Sequence, residues 1–404
     1  MTERILLKDD LKFQDIENYI KNGGYEALKK ALDSKGKEII DEVKKSGLLG
    51  RGGAGFPTGK KWEFVYNVEE KEKYVVANAD ESEPGTFKDR ILIERNPHLI
   101  LEGMIIAGYA VGAAKGYVFI RGEFYKQQAV FEKAIKDAYE KGFLGKNILG
   151  KNFSFDVKIY KGAGAYMSGE ETALLESIEG KRACARGKPP YPAIEGLFGK
   201  PTLINNVETL ANIPAIVKNG GEWYSDLGIE GSGVKLYALS GHVRKPGVYE
   251  LPIGIKLRDL IEQYGGGAIG KIKCVFPGSI TSVPITDLDV KLDYASLNKA
   301  GTMLGSGAVI VVNDEVSAVD LALNIIDFFY EESCGFCVPC RQGTKKAKRI
   351  LENIKEGIAT EKDLEILYEL KEVMFLTSNC GLGQFSLCAV TGLIDKFKEE
   401  FLCK

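Results

Sequence analysis

Cys334, Cys337 and Cys340 fall in the run Cys-Gly-Phe-Cys-Val-Pro-Cys, and the next cysteine, Cys380, sits in Ser-Asn-Cys-Gly-Leu-Gly. Three thiolates on one tight loop can cap three corners of a cubane, and a remote fourth closes the site. That spacing is the mark of a [4Fe–4S] cluster. A structural zinc ion normally takes two separated Cys-x2-Cys pairs, so three plus one suits it less well; ordinary thiols are the third reading. Cys388 competes with Cys380 for the fourth place. Its apolar setting, Ser-Leu-Cys-Ala-Val, reads as buried, whereas the turn-rich surroundings of Cys380 can aim a thiolate. Cys184, Cys274 and Cys403 stand alone and read as incidental or buried thiols. Arg341 offers charge and hydrogen bonds to tune a cluster.

Three polar, glycine-bearing loops form the second group. Gly50-Arg-Gly-Gly-Ala-Gly55 matches the dinucleotide pattern G-x-G-x-x-G, but residues 37–45 before it read as a helix, not the strand that pattern needs. Phe56, Lys60, Lys61 and Trp62 follow it, the aromatic faces and amines that a planar ring with a phosphate tail requires. The run from Gly162 to Gly169 imitates the start of a phosphate-binding loop, yet Glu170 and Glu171 stand where Lys and Ser/Thr would be. Two carboxylates repel a triphosphate, so NTP hydrolysis is disfavoured; they could accept hydrogen bonds from ribose or amide groups, or be solvated acids in a helix's first turn. Asn78, Asp80, Glu81 and Glu83 make a third polar loop, suited to polyol and amide recognition and equally to an ordinary strand-to-helix turn. Asn205-Asn206-Val-Glu-Thr reads as a helix start with a capping role. Arg182, Lys188 and Pro189-Pro190-Tyr191 form a stiff basic-aromatic loop.

These loops need elements to hold them. Residues 74–77, 116–120 and 155–160 read as strands, alternating with helical stretches at 97–114, 125–141 and 170–179. This β-loop-α rhythm predicts an α/β fold with parallel character, whose ligands sit beyond the strand C-termini. After residue 233 the runs 234–240, 247–251, 273–276 and 308–312 are strand-like, with one helix at 256–264, predicting a small mixed unit. From 316 onward the pattern is helical, predicting a bundle. The segment before residue 48 is helical and polar.

The 404 residues carry 54 basic and 56 acidic side chains and two histidines. The charge balance gives no reason to expect nucleic acid or an anionic membrane, and so few histidines disfavour a His-built metal site or a Ser-His-Asp triad. The most apolar stretch, 104–114, is too short to span a bilayer, and no secretion signal opens the chain. A cytoplasmic protein is expected.

Taken in order, GRGGAGFPTGKKW, NADESEPGTFKDR, GAGAYMSGEETALLES, KPPYP, NNVET, ESCGFCVPCRQGT and NCGLG resemble one family, over about residues 45–404. It is the NADH-binding flavoprotein (51 kDa, F) subunit of respiratory complex I, with its relatives in NAD-linked hydrogenases and formate dehydrogenases. The resemblance implies FMN, NAD(H) and one [4Fe–4S] cluster, with hydride transfer from NADH to FMN and no catalytic side chain. It implies an N-terminal helical segment with the start of the glycine-rich loop (1–58), a Rossmann-like FMN/NADH domain (59–232), a ubiquitin-like β-grasp domain (233–315) and a cluster-bearing helical bundle (316–404). Carried over, the FMN site falls on Gly50, Gly52, Lys61, Asn78, Asp80, Glu81, Gly169, Glu170, Asn205 and Asn206. NADH would meet Phe56, Phe64, Glu83, Glu171, Lys188 and Tyr191, and Cys334, Cys337, Cys340 and Cys380 would hold the cluster. Ser168 stands where most of the family has Cys, and Tyr191 replaces the usual Phe. Expected partners are a [2Fe–2S] thioredoxin-like subunit and a larger iron–sulfur subunit, which would place the chain at the membrane only peripherally. No cysteine precedes Cys184 and only Cys403 follows Cys388, so electrons are expected to leave through a partner chain. NAD⁺ reduction or bifurcation in a hydrogenase or formate dehydrogenase is the alternative, and a zinc-containing, non-catalytic assembly subunit a remote one.

Overall fold

The computed structural model describes residues 4–8 and 14–402, so Cys403 lies outside the described residues. Its first sheet consists of β1 (Tyr74–Ala79), β2 (Lys115–Ile120), β3 (Asp156–Lys161) and β4 (Thr202–Asn206). All neighbours are parallel, in the order β3-β2-β1-β4. The apolar β1 is buried along nearly its whole length, as a central strand covered on both faces must be. The chain steps outward from β1 through β2 to β3, then crosses back to lay β4 on the other side of β1. That reversal leaves a crevice beyond the ends of β1 and β4, where ligands bind in open parallel sheets. In the β1–β4 register Asn78, one residue before the end of β1, pairs with Asn206, the last of β4, so the two asparagines sit at the same height.

Helices Pro97–Val111 and Val207–Asn219 cover one face. They meet so closely that a Cβ on Gly103 would lie 1.9 Å from the Leu210 carbonyl oxygen. Glu102, buried on the first of these helices, accepts hydrogen bonds from the Tyr19 hydroxyl and from the backbone N–H groups of Tyr25 and Leu28. Those contacts dock the N-terminal helical region on the sheet layer.

β4 was not foreseen: Thr202–Asn206 read only as the approach to a helix, because two asparagines suggest a cap more than a strand. The helix does begin at Val207, with Asn206 as its cap accepting from Glu208 N–H. The helices Thr58–Tyr66 and Lys88–Arg95 are likewise absent from the pattern expected from sequence.

A second sheet contains β5 (Val234–Gly241), β6 (Gly247–Pro252), β7 (Ile272–Phe276) and β8 (Ala308–Asn313), ordered β6-β5-β8-β7. β5 runs antiparallel to β6 and parallel to β8, and β7 antiparallel to β8. The helix expected at 256–264 is a short turn, Leu257–Asp259, continued by a π-helical turn, Leu260–Tyr264; Leu257, Leu260 and Ile261 pack on Tyr237, Leu239 and Val309.

Helices Ala318–Glu332, Val338–Lys355, Glu361–Thr377, Gly381–Phe385 and Cys388–Phe401 follow. Their apolar faces share one core, through Ile325, Ile326, Ala347, Leu351, Leu367 and Leu393. That core also takes in Met167 and Ala173 from the first sheet's helix layer and Phe276 from the second sheet, so the helices are not a separate lobe. Among the described residues no helix is long and apolar enough to cross a membrane.

The Gly103 contact sets a stability test. Gly103→Ala places a methyl group inside a carbonyl's van der Waals shell and should cost about 1–3 kcal/mol, the usual range for overpacking. Gly187→Ala, on an exposed backbone with open space at the added Cβ, should stay within about 0.5 kcal/mol. Denaturant unfolding of the two variants reads the difference.

Candidate functional site

The loop after residue 49 is held from below by Arg51. Its N–H bonds Thr209 Oγ1 (2.8 Å), and its fully buried guanidinium reaches the Tyr224 hydroxyl and the Ser232 and Val234 carbonyls. Gly55 has φ +64°, and a Cβ there would strike the Tyr294 ring at 2.5 Å, so a side chain is excluded on two counts. Trp62, fully buried on the 58–66 helix, donates to Asn205 Oδ1 at 2.9 Å and clamps that helix to the end of β4.

From these anchors the expected FMN residues gather at the crevice. Gly52 faces Asn206, since a Cβ on it would lie 3.2 Å from the Asn206 Cβ. Asn206 donates to the Asn78 carbonyl (3.3 Å), and Asn78 donates to the Gly169 carbonyl (3.0 Å). Gly169 faces Asp80, whose Oδ2 would be 3.1 Å from an added Cβ. Gly50 belongs to the loop's closing pair, its N–H bonding the Phe56 carbonyl at 2.9 Å.

Not every expected residue has a free side chain. Glu81 is buried, accepting from the Asp89 and Arg90 N–H groups and from Arg90 Nε, and so caps the 88–95 helix. Glu170 caps the helix Glu171–Ile178 through Thr172 and Ala173 N–H. The side chains of Asn205 and Asn206 are likewise committed to Trp62 and to the Glu208 N–H and Asp89. For Glu81 and Asn205 the sequence pattern shows the residue type but not the partner already engaged, whereas Asn206 takes the capping role its helix-start sequence suggests.

Asp80 is the exception. Its Oδ2 accepts from Ser82, while Oδ1 is buried with no hydrogen-bond partner. Burial pushes its carboxyl up to about 7, against the opposing pull of the Ser82 hydrogen bond and the Arg121 charge. A buried, half-satisfied carboxyl above a glycine-lined crevice suits a ligand edge carrying hydrogen-bond donors, such as a flavin or its polyol chain.

Alongside lies a cationic and acidic rim. Lys61 Nζ is 2.7 Å from Glu171, and Lys188 Nζ is 2.9 Å from Glu170 and 3.1 Å from Glu171. Burial alone would raise the Glu171 carboxyl, but the two lysines outweigh it and hold it down to about 2. Glu83 accepts from Thr281 Oγ1 at 2.8 Å, so the second sheet's loops support this rim; burial raises its carboxyl. Phe56 and Phe64 lie 6.4 Å apart, half-exposed, with ring planes at 43°. Tyr191 is exposed on the neighbouring turn, after two cis prolyl peptides.

A few side chains away lies the thiol site. Cys334, Cys337, Cys340 and Cys380 line one small pocket together with Met167, Ala185, Phe336 and Leu382. Cys337 caps the 338–355 helix and Cys380 the 381–385 turn, whose Leu382 and Gly383 N–H groups point at the Cys380 sulfur. Ser333 Oγ lies 3.2 Å from the Cys340 sulfur. Four thiols lining one apolar pocket, with donors aimed at two of them, fit a [4Fe–4S] cubane by the chemistry of the donor set. Cys388 is buried at the start of the last helix and does not line this cavity. Arg341 donates to the Gly335 carbonyl at 2.6 Å, so it braces the ligand loop.

Two connections escaped sequence reading. Tyr166, the one aromatic in its glycine loop, is planted between the sites: its N–H bonds Glu332 (3.0 Å) and its ring meets Phe328 edge-on at 5.1 Å. Cys184, read as an isolated thiol, is not isolated. It lies against Cys334, and its neighbour Arg182 donates to the Cys334 carbonyl at 2.6 Å.

Residues 43–215 match the Nuo51 FMN-binding domain, 320–404 the NADH-ubiquinone oxidoreductase-F iron-sulfur binding region, and 236–271 the SLBB domain. The chain is 49% identical to the F subunit of the Aquifex aeolicus NADH-quinone oxidoreductase over 405 residues, covering 99% of this chain and 94% of that protein. It is 49% identical to the F 2 subunit of the Rhizobium meliloti NADH-quinone oxidoreductase, with 96% and 93% covered. The HndC subunit of the NADP-reducing hydrogenase of Solidesulfovibrio fructosivorans shares 45% identity over 96% of this chain and 80% of its own. Among solved structures, an NAD⁺-reducing [NiFe]-hydrogenase in the H2-reduced state superposes with a TM-score of 0.86 at 36% identity. That match covers 95% of this chain and 66% of the hydrogenase chain.

The Asp80 carboxyl yields a pH test. Raised from the ordinary 3.8 to about 7, it keeps its proton in the folded chain where the unfolded chain has lost it. Its contribution to stability therefore falls as pH rises from about 4 to about 7 and levels off above. In cofactor-free protein, Asp80→Asn should gain melting temperature over wild type progressively across that window. Parallel curves at every pH would contradict the assignment.

Proposed function

This chain belongs to the family of NADH-quinone oxidoreductase F flavoprotein subunits, and from that premise we propose that it is an NADH dehydrogenase module passing electrons singly to a partner subunit. The observation that carries the reading is the adjacency of two sites in one chain: a glycine-lined crevice at the β1/β4 reversal, and a four-thiol pocket, joined by the 162–169 loop, which places Gly169 at the first and Met167 at the second. Bound FMN would supply hydride acceptance and a bound [4Fe–4S] cluster one-electron transfer.

The protein's share is positioning. Gly52 and Gly169 leave the room a flat ring system needs, and Asn78, Asp80 and Asn206 frame it, with Gly50, Glu81, Glu170 and Asn205 holding the frame. Phe56, Phe64 and Tyr191 offer exposed aromatic faces for the rings of NADH. Glu83, Glu171 and Lys188 form its polar border, with Lys61 joining border to flavin site. Tyr166 and Met167 wall the gap to the cluster and exclude water from it. Cys334, Cys337, Cys340 and Cys380 are the assigned ligands.

We assign domains at 1–58, 59–232, 233–315 and 316–404. The hairpin β5–β6, the helical turn and the central parallel pair β5–β8 support a β-grasp reading of the third. The shared core of the last five helices supports a bundle. An exit towards a [2Fe–2S] thioredoxin-like subunit and a larger iron–sulfur subunit is supported by Phe336 and Val338, which are 66% and 59% exposed beside the thiols. A hydrogenase setting, running towards NAD⁺ reduction, is the second reading; the superposition on the NAD⁺-reducing hydrogenase favours it.

Purified protein should show flavin and iron–sulfur absorption together. Cys340→Ser should abolish the cluster's electron paramagnetic resonance signal and leave FMN bound; a colourless, zinc-loaded protein would refute the reading. The ionised Glu171 opposes a 2′-phosphate, so kcat/KM for NADH should exceed that for NADPH by about tenfold or more, equivalent to about 1.4 kcal/mol. Glu171→Gln should narrow that ratio, and steady-state kinetics with both nucleotides decide it.

A further inference from the structure

The 182–186 segment is built onto the thiol site from outside. Arg182 donates to the Cys334 carbonyl (2.6 Å), Ala185 lines the cavity, and the Ala185 carbonyl accepts from Asn379, the residue before Cys380 (2.9 Å). Cys184 lies between these two attachments, partly accessible, with its thiol interacting directly with that of Cys334. The four assigned ligands are disposed differently. Cys334, Cys337, Cys340 and Cys380 line the rim of a hollow, as ligands around a cubane must. The fifth thiol meets Cys334 without lining that hollow.

We propose that Cys184 is a redox guard for Cys334: in the chain without its cluster, the two form a disulfide that protects the ligand from irreversible oxidation and blocks cluster insertion until it is reduced. The oxidant class is a peroxide. The Cys334 thiolate attacks one peroxide oxygen, the O–O bond breaks, and one water leaves, giving a sulfenic acid on Cys334. The Cys184 sulfur then displaces the sulfenic oxygen as a second water. In sum, two thiols and one H2O2 give one disulfide and two waters. Without a neighbouring thiol the sulfenic acid is open to further peroxide and to sulfinic acid, which ordinary thiols do not reverse. The Arg182 and Asn379 hydrogen bonds keep the segment docked on both parts of the thiol site, which holds Cys184 beside Cys334.

The proposal rests on Cys334 being a cluster ligand, but the disulfide is read in a different measurement from cluster formation. Full-length chain, stripped of iron with a chelator and treated with hydrogen peroxide, is digested without reductant and mapped by mass spectrometry. A Cys184–Cys334 linked peptide as the main product is the expected result. Disulfides among Cys334, Cys337, Cys340 and Cys380 with Cys184 left free would overturn it. In Cys184→Ser, and in Cys184→Ala as a check on folding, the linked peptide should vanish and the Cys334 peptide should carry sulfinic acid. Unchanged Cys334 oxidation in both variants would overturn the protective role. Finally, peroxide-treated wild type should take up iron and sulfide, seen by absorbance, only after dithiothreitol, whereas the treated Ser variant should not recover even then. If untreated chain never takes up a cluster, the ligand assignment fails while the disulfide result stands.

Discussion

The ammonium group of Lys88 is shut away from water and shared between Asp89 at 2.7 Å and Glu208 at 2.8 Å. Such a group is tolerable only while both carboxylates stay in place, because an unpaired charge at this depth costs several kcal/mol. Everything at the crevice is referred to it. Glu208 also accepts from the Leu236 N–H of β5, so the second sheet is tied to the helix after β4. Asp89 accepts from Asn206, and Asn206 in turn reaches Asn78. The same contacts that bury the charge therefore set the angle of the two asparagines at the end of the sheet. Lys235, also fully buried nearby, is pushed down to about 7 by burial, so the fold concentrates its least soluble groups where two units meet.

A similar economy joins the two functional regions. The stretch from Arg182 to Lys188 contacts the ligand loop at one end and the Glu170–Glu171 pair at the other. Arg186, between them, is held by Glu176 and Glu179 and by the Gly196 carbonyl. One short, tethered stretch thus links the 334–340 loop to the Glu170–Glu171 pair.

What the sequence discloses follows from how local the cause is. The cysteine run was legible because few residue types bind iron, and their spacing is a property of one loop. The parallel β-loop-α rhythm of 74–178 was legible because each apolar run is long enough to state its own period. β4 was not, since Thr202–Asn206 offers only two strongly apolar residues and acquires its strand identity from pairing with β1. The commitment of Asn205 to Trp62, and the contact of Cys184 with Cys334, depend on residues distant in the chain. No window of sequence contains those partners.

The thiol cavity takes its walls from Met167, Ala185, the 333–340 loop and the 379–382 turn. During synthesis, the Gly162–Gly169 loop emerges long before the second half of that wall exists. No closed metal cavity can be present on the ribosome until residue 382 has cleared the exit tunnel, by which point both sheets are complete. The pocket is thus the last part of this region the chain can complete, assembled against sheets whose strands have all been made.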